Sequence, residues 1–420
     1  MRSIPPLAVV FFVLSSAAVA GTVHVPNVPG GIMSVQDGLD AAGTGDNVVI
    51  AAGVYQENLT LSAKQNVKIT ADGNVVIDAR PQGDTGTGPA LVISNCTAIK
   101  ITGITFRHAK GLSPNGAGVR VTGSSLLNFA DVSVFGCDEE GLHVEASQVT
   151  FDGCTVKGCK GGIYVMGSNV KVLNTRVTND QLRGIGVTGD QVEVDRCTVA
   201  AIRAGGGVEI TGEHPTVTHC DIAGVMDSPG IITTGSNPTI AKNTVRDGLI
   251  GIDVVYGAFG TVEKKEISAC SAYGMHTGNA SHDLTIRRNV VRGCGDSASA
   301  GYYLSGDGMG GHTLDKNVAI DCGGDGFFVS SDNATLTRNR AENCGKDGFD
   351  LDAVFVNIAL SDNVAKGNQA EGFENGADNT LLTGNVAKKN RTAFANAGTI
   401  DPASAGNSFA TAGAPAPEID

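Results

Sequence analysis

Tryptophan is absent from this 420-residue chain, aromatic residues reach only 5%, and charged residues only 17%. An ordinary soluble domain carries about 25% charged residues. A disordered chain would combine high charge with little apolar content, and 41% hydrophobic residues argue against that. The core must instead be built from small side chains, in apolar segments punctuated by 58 glycines, which disfavours a helical bundle. No apolar run reaches the length of about 20 residues that a membrane-crossing helix needs. Basic residues are outnumbered by acidic ones, 30 to 43, for a formal net charge of −13. The basic stripe that marks a nucleic-acid partner is therefore missing. The ten cysteines include no Cys-x-x-Cys pair, so their spacing does not resemble a zinc site.

The amino terminus has a composition of its own. Arg2 precedes an apolar stretch at 7–14 (LAVVFFVL), and Ala18-Val19-Ala20 is a small-x-small cleavage pattern. Residues 1–20 thus read as an export signal, which predicts a secreted or periplasmic protein with no membrane span.

What fills the rest is one sentence repeated about every 22 residues: an alternating triplet, a polar bend, a second apolar pair, a loop, a glycine, and another alternating strand. The segments VTFDGCTVKGCKGGIYVMGS (149–168) and ATLTRNRAENCGKDGFDLD (334–352) show it twice. Helical repeats have longer periods, about 33 residues or more. Period-two alternation rich in Val, Ile and Thr suits strands. Each repeat therefore reads as one coil of a solenoid, with neighbouring coils stacked about 4.8 Å apart into three parallel sheets. One position can be followed from Ile104 through Cys154, Cys197, Cys220, Asn243, Lys265, Asn289, Asn317, Asn339 and Asn363 to Asn385, which gives about 13 coils. Stacked asparagines can bond both the turn backbone and each other. A second column five residues later holds Cys137, Cys159, Asp180, Cys270, Cys294, Cys322, Cys344, Asn368 and Asn390. The cysteines on these columns read as small inward hydrophobes whose parallel Cβ vectors suit bridging poorly. A disulfide framework in an exported chain is the alternative.

Residues 32–42 (IMSVQDGLDAA) read as a short amphipathic capping helix with Ser34 as N-cap. The domain is expected over 21–400, as a monomer, with 401–420 a disordered tail.

The opening SVQDGLDAAGTGDNVVIAAGVYQENLTL, GIYVMGSNVKVLN and GFFVSSDNATLTRNRAENC resemble the right-handed parallel β-helix superfamily, the pectin-lyase-like fold, over roughly residues 22–395. The resemblance implies an all-β, single-stranded right-handed parallel β-helix. It does not fix an activity, because lyases, hydrolases, epimerases, adhesins and accessory proteins share the repeat. The Asn-Thr-Asp, Asp-Asp, Gly-His-Gly and Arg-Ile-Lys elements of galacturonan hydrolases are absent. So are the Asp-Pro-His-Asp of mannuronan epimerases and the Arg-x-Pro-x-x-Arg of pectate lyases.

In that superfamily the polymer groove lies outside the strand that here follows the recurrent glycine. Alternation turns one column outward: Arg120, His143, Tyr164, Gly186, Glu209, Ile232, Asp253, His276, Tyr303, Phe328, Asp350 and Glu374. Carboxylates, imidazoles and rings mix on it, the groups that perform acid–base work and stack on sugars. The candidate catalytic residues are Asp253, His276 and Glu209. Asp253 and His276 fall on consecutive coils, close enough for the carboxylate to orient the imidazole. Tyr164, Tyr303, Arg183 and His143 are the candidate substrate-binding residues. Asp350 and Glu374 read as a solvated face. Calcium is the one cofactor in view, at Asp307, Asp325, Asp332, Asp347 and Asp352. The expectation is an exported polysaccharide-binding protein acting as a lyase, hydrolase or epimerase. The alternative is a non-catalytic surface or periplasmic binding scaffold.

Overall fold

The period of the sequence is the pitch of the molecule. The computed structural model describes residues 20–25, 34–80, 87–278, 280–306, 310–411 and 418–419, and within them each repeat closes one three-stranded turn. In one such turn Val208–Thr211 belongs to the first sheet, Thr216–Thr218 to the second and Asp221–Val225 to the third; Ile231–Thr234 then re-enters the first, one level up. Each strand pairs in parallel with its equivalents in the turns before and after, as Val208 does with Ile185 and Ile231.

Local chemistry sets the corners. The bend between the second and third sheets needs a left-handed residue, supplied by Arg196, His219, Lys242 and Lys264 at φ of 53–57°. The recurrent glycine ahead of the first sheet is fixed by space. A Cβ at Gly184 would stand 2.3 Å from the Gly207 carbonyl oxygen and 2.4 Å from Val199. Inward positions are almost wholly Val, Ile, Leu, Ala and Cys, and form one continuous column. Near the carboxyl end the same column carries Tyr302, Phe327, Phe349 and Phe373, stacked at 4.6–4.8 Å with planes 3–7° apart.

The asparagine ladder forms as its spacing predicts. Nδ2 of Asn289 donates to Oδ1 of Asn317 at 2.9 Å, and the pattern repeats through Asn339, Asn363 and Asn385 to Asn407. Each step also satisfies a buried backbone N–H, as Asn317 N does on Asn339 Oδ1 at 2.8 Å. Lys265 interrupts it: its side-chain nitrogen is buried without a hydrogen-bond partner. All ten cysteines are buried and free, so the columns are packing elements and not a disulfide framework.

The stack has about sixteen turns, against about 13 expected. The count began at Ile104 and stopped at Asn385, but Gly53–Tyr55 and Val75–Asp78 already pair in the third sheet below, and Asn407–Thr411 above. Phe409, buried beneath Phe394, carries the solenoid past residue 400, so the reading of 401–420 as one free tail does not hold for Asn407–Thr411. The helix over the first turn is Val35–Ala41, with Ser34 and Asp37 in a reciprocal capping box and Val35 and Leu39 turned inward. Ile32 and residues 1–19 of the segment read as an export signal lie outside the described residues. No helix among the described residues is long and apolar enough to cross a membrane.

Candidate functional site

Strand pairing puts the outward column of the first sheet in the expected order. Arg120, His143, Tyr164, Gly186, Glu209, Ile232, Asp253, His276, Tyr303, Phe328, Asp350 and Glu374 are Cα partners in succession. The candidate residues nevertheless separate into distinct groups along it.

Toward the amino terminus, the Arg183 guanidinium lies 4.6 Å over the Tyr164 ring, and that ring is 5.4 Å from His143. His143 is almost buried, with Glu140 3.3 Å from its Nδ1 and Glu145 3.5 Å from its Nε2. The hydrogen bond to Glu140 raises its pKa against the opposing effect of burial. Glu209 stands apart: its Oε1 accepts from Gly206 N at 2.7 Å, and Ile232 separates it from Asp253 on the column. The structure therefore does not join Glu209 to the other two catalytic candidates.

Asp253 and His276 do meet, Oδ1 to Nδ1, at 2.9 Å. Tyr273, three residues before the outward position at His276, stacks on His276 at 5.5 Å and 24°. Tyr303 lies 5.1 Å from both rings and from Phe328. These rings make an aromatic face three turns long. Beside it a pocket of about 270 Å³ opens between Tyr273, Tyr303, Phe328, the 297–300 loop, Asp325 and Lys346.

Asp325 and Lys346, which line this pocket, belong to an acidic cluster only half visible in the column. Asp325 and Asp350 take the same Lys346 ammonium at 3.2 and 3.1 Å, and Oδ2 of Asp347 lies 3.7 Å from it. Asp325, Asp347 and Asp350 are 5%, 1% and 9% exposed. Their carboxylates are also held from behind, since Asp347 N donates to Asp325 and Glu371 N to Asp347, at 2.9 and 2.6 Å. Burial, added to the charge of Asp325, pushes Asp350 up to about 6. Burial and the Glu371 carboxyl push Asp347 up to about 8. The cost of burial would lower Lys346, but Asp325 and Asp350 hold it above the ordinary lysine range.

One sequence signal could have found this group. The residue before the recurrent glycine is acidic in three successive repeats, Asp325-Gly326-Phe327, Asp347-Gly348-Phe349 and Glu371-Gly372-Phe373. The reading of Asp350 as a solvated surface residue is corrected by the same contacts: it is buried against Lys346.

For metals, oxygens of Asp325, Asp347 and Asp350 lie within 4.8 Å of one another, and so do those of Asp347, Glu371 and Glu374. The calcium set read from sequence is not what assembles. Asp332 and Asp352 follow their strands and bond Val356 N and Ser330 at the opposite corner, while Asp307 lies outside the described residues. The ammonium of Lys346 already occupies the first trio, which leaves calcium a poor fit there.

No curated protein matches the chain. Solved structures that it resembles include the pectin methylesterase PemA from Erwinia chrysanthemi (14% identity, 54% of this chain and 79% of that one, TM-score 0.33). Others are the catalytic unit of a GH87 alpha-1,3-glucanase from Streptomyces thermodiastaticus (14%, 90% and 66%, TM-score 0.36) and the DFA-IIIase of Arthrobacter chlorophenolicus without its lid (12%, 81% and 94%, TM-score 0.37). The family model described as right handed beta helix region matches residues 54–199, 89–245, 162–310 and 230–390 in overlapping passes. Matched by that model across 54–390 and wound as three parallel sheets, the chain belongs to the right-handed β-helix family.

Proposed function

We propose that the protein binds a polysaccharide along the outward column of the first sheet and hydrolyses it beside the acidic cluster. The observation that carries this reading is an aromatic-walled pocket lined by Asp325 and Lys346, with Asp350, whose pKa is pushed up to about 6, on the same ammonium. A glycosidic oxygen leaves only if protonated, and a donor is most effective when its pKa lies near the working pH. Asp350 is the proton donor. Asp325 shares the Lys346 ammonium with Asp350, and their oxygens lie within 4.8 Å of one another, too close to admit the water of an inverting pair. Asp325 is therefore the nucleophile that takes the glycosyl group, and water, deprotonated by Asp350, then releases it. Sugar rings stack on Tyr303 and Phe328, and Asp253 with His276 forms a second acid–base pair against the next part of the chain. Arg183, Tyr164 and His143, roughly 38 Å away at eight turns of 4.8 Å, would serve an outlying part of a long polymer and not the reacting bond. Export, inferred from the amino-terminal segment, would place this face where extracellular glycans are met.

The test is a screen of purified protein against neutral, acidic and amino polysaccharides, with reducing ends reporting hydrolysis and ultraviolet absorbance reporting elimination. New reducing ends on one class are expected. Unsaturated products would replace the hydrolase with a lyase. Binding without turnover would favour the scaffold reading, which the full engagement of Lys346 by three aspartates supports as a purely structural ion cluster. Neither binding nor turnover would sink the polysaccharide reading.

A further inference from the structure

The cluster holds an internal template for its own ligand. Lys346 shows what the trio Asp325–Asp347–Asp350 accepts: one alkylammonium, 3.1–3.7 Å from a carboxylate oxygen of each. The adjoining trio Asp347–Glu371–Glu374 shares Asp347 and has the same compactness, its ligand oxygens lying within 4.8 Å of one another. Among the described ion pairs, neither Glu371 nor Glu374 has a cationic partner. Three of these five carboxyl groups thus share the single ammonium of Lys346. A second observation points the same way. Asp347 is 1% exposed, and its Oδ2 accepts no hydrogen bond although its Oδ1 is bonded at 2.6 Å. That oxygen faces Lys346 only at 3.7 Å, and burial with the Glu371 carboxyl disfavours its charge, so a second ammonium arriving beside it would displace the retained proton and relieve the like-charge crowding.

Resting on the polysaccharide reading, we propose that the Asp347–Glu371–Glu374 trio receives the ammonium of an amino sugar, so that the site selects a glycan with free amines over neutral or uronate-bearing ones. Glu374 follows Phe328 and Asp350 on the outward column, so a polymer with one ring stacked on Phe328 carries a later sugar, two turns on, over it. A uronate carboxylate brought to the same place would meet unneutralised like charge, which disfavours it. Monovalent ammonium suits the trio better than calcium, which takes 6–8 oxygen ligands where this set offers three side chains.

The experiment is calorimetric titration of the purified protein with short glucosamine oligomers, their N-acetylated counterparts, oligogalacturonate, and calcium chloride alone. Glucosamine oligomers are expected to bind at least about tenfold more tightly than the N-acetylated ones, with the gap narrowing as salt is raised. Glu374→Gln, at a half-exposed position, should close most of that gap. Equal binding of the N-acetylated oligomers, or tighter binding of oligogalacturonate, overturns the amine selectivity and leaves the polysaccharide reading standing. Calcium binding that Glu374→Gln abolishes, with no response to the amines, overturns it in favour of a metal site. Silence from all the sugars overturns it together with the reading beneath it.

Discussion

Nδ1 of His276 lies 2.9 Å from Oδ1 of Asp253, one turn below, and the contact leaves the imidazole's other nitrogen turned away from the carboxylate. The ring is therefore held in one orientation and one tautomer, as a group that passes protons or hydrogen bonds to a ligand must be. It is sandwiched against Tyr273 as well. His276→Ala and Asp253→Asn are expected to lower glycan binding or turnover by about tenfold or more, while removing only about 1 kcal/mol of stability. Binding isotherms and melting curves for both variants check this. Unchanged binding in both would remove the pair from the site.

Asp347 should make the fold less stable as pH rises from about 4 to about 8. Burial and Glu371 push its pKa up to about 8, so the native state keeps a proton that the unfolded chain releases at about 4. Stability is then lost progressively as pH rises between those two values. Asp347→Asn keeps the shape and much of the hydrogen bonding but carries no charge. It is expected to raise the melting temperature at pH 8 and to flatten the decline above pH 4. A variant that melts lower than the parent at every pH would mean that the carboxylate is ionised and well paired in the native state.

How much of this was legible in the chain follows from where each residue stands relative to the repeat. Positions locked to the strand, such as Asp253, His276 and Tyr303, could be aligned from the period alone, because parallel pairing in register makes equal phase mean vertical contact. The ladder from Asn289 to Asn385 was readable for the same reason. Lys346 and Tyr273 lie in or beside loops of unequal length, where phase carries no information about direction. Asp325, Asp347 and Glu371 were in phase with one another but just ahead of the strand, outside the alternation used to sort inward from outward. Glu209 shows the opposite failure. Its phase was right, but a glycine N–H in its own turn captured the carboxylate.

Lys265 is a fault in an otherwise regular ladder. Its backbone N–H is satisfied by Asn289 Oδ1 at 3.2 Å, but its side chain offers Asn243 no acceptor. Burial pushes its amine well below the ordinary lysine range, so the folded protein holds it neutral. The unfolded chain takes up a proton below about 10, and the resulting penalty on folding grows as pH falls through that value. Lys265→Asn would supply the missing acceptor and abolish the penalty. The melting temperature should rise, by the equivalent of about 1–3 kcal/mol at neutral pH, and the gain should shrink above pH 10. A lower melting temperature would show that the lysine stem fills space an asparagine leaves empty.

Asp350 is the sharpest test of the chemistry. If it gives the proton, turnover needs its neutral form, so activity should fall as pH rises through about 6. Asp350→Asn cannot donate to a leaving oxygen and is expected to lose about 10²–10⁴ in rate. Because the native protein ionises this buried group only at a cost, the variant should melt no lower than the parent at neutral pH, although Lys346 gives up one of its three partners. The two measurements separate function from folding. Lost turnover with an intact melting curve assigns Asp350 to the reaction, and lost turnover with a collapsed curve makes it a brace for Lys346. Full turnover on the same substrate would move the proton donor elsewhere on the column, to the Asp253–His276 pair.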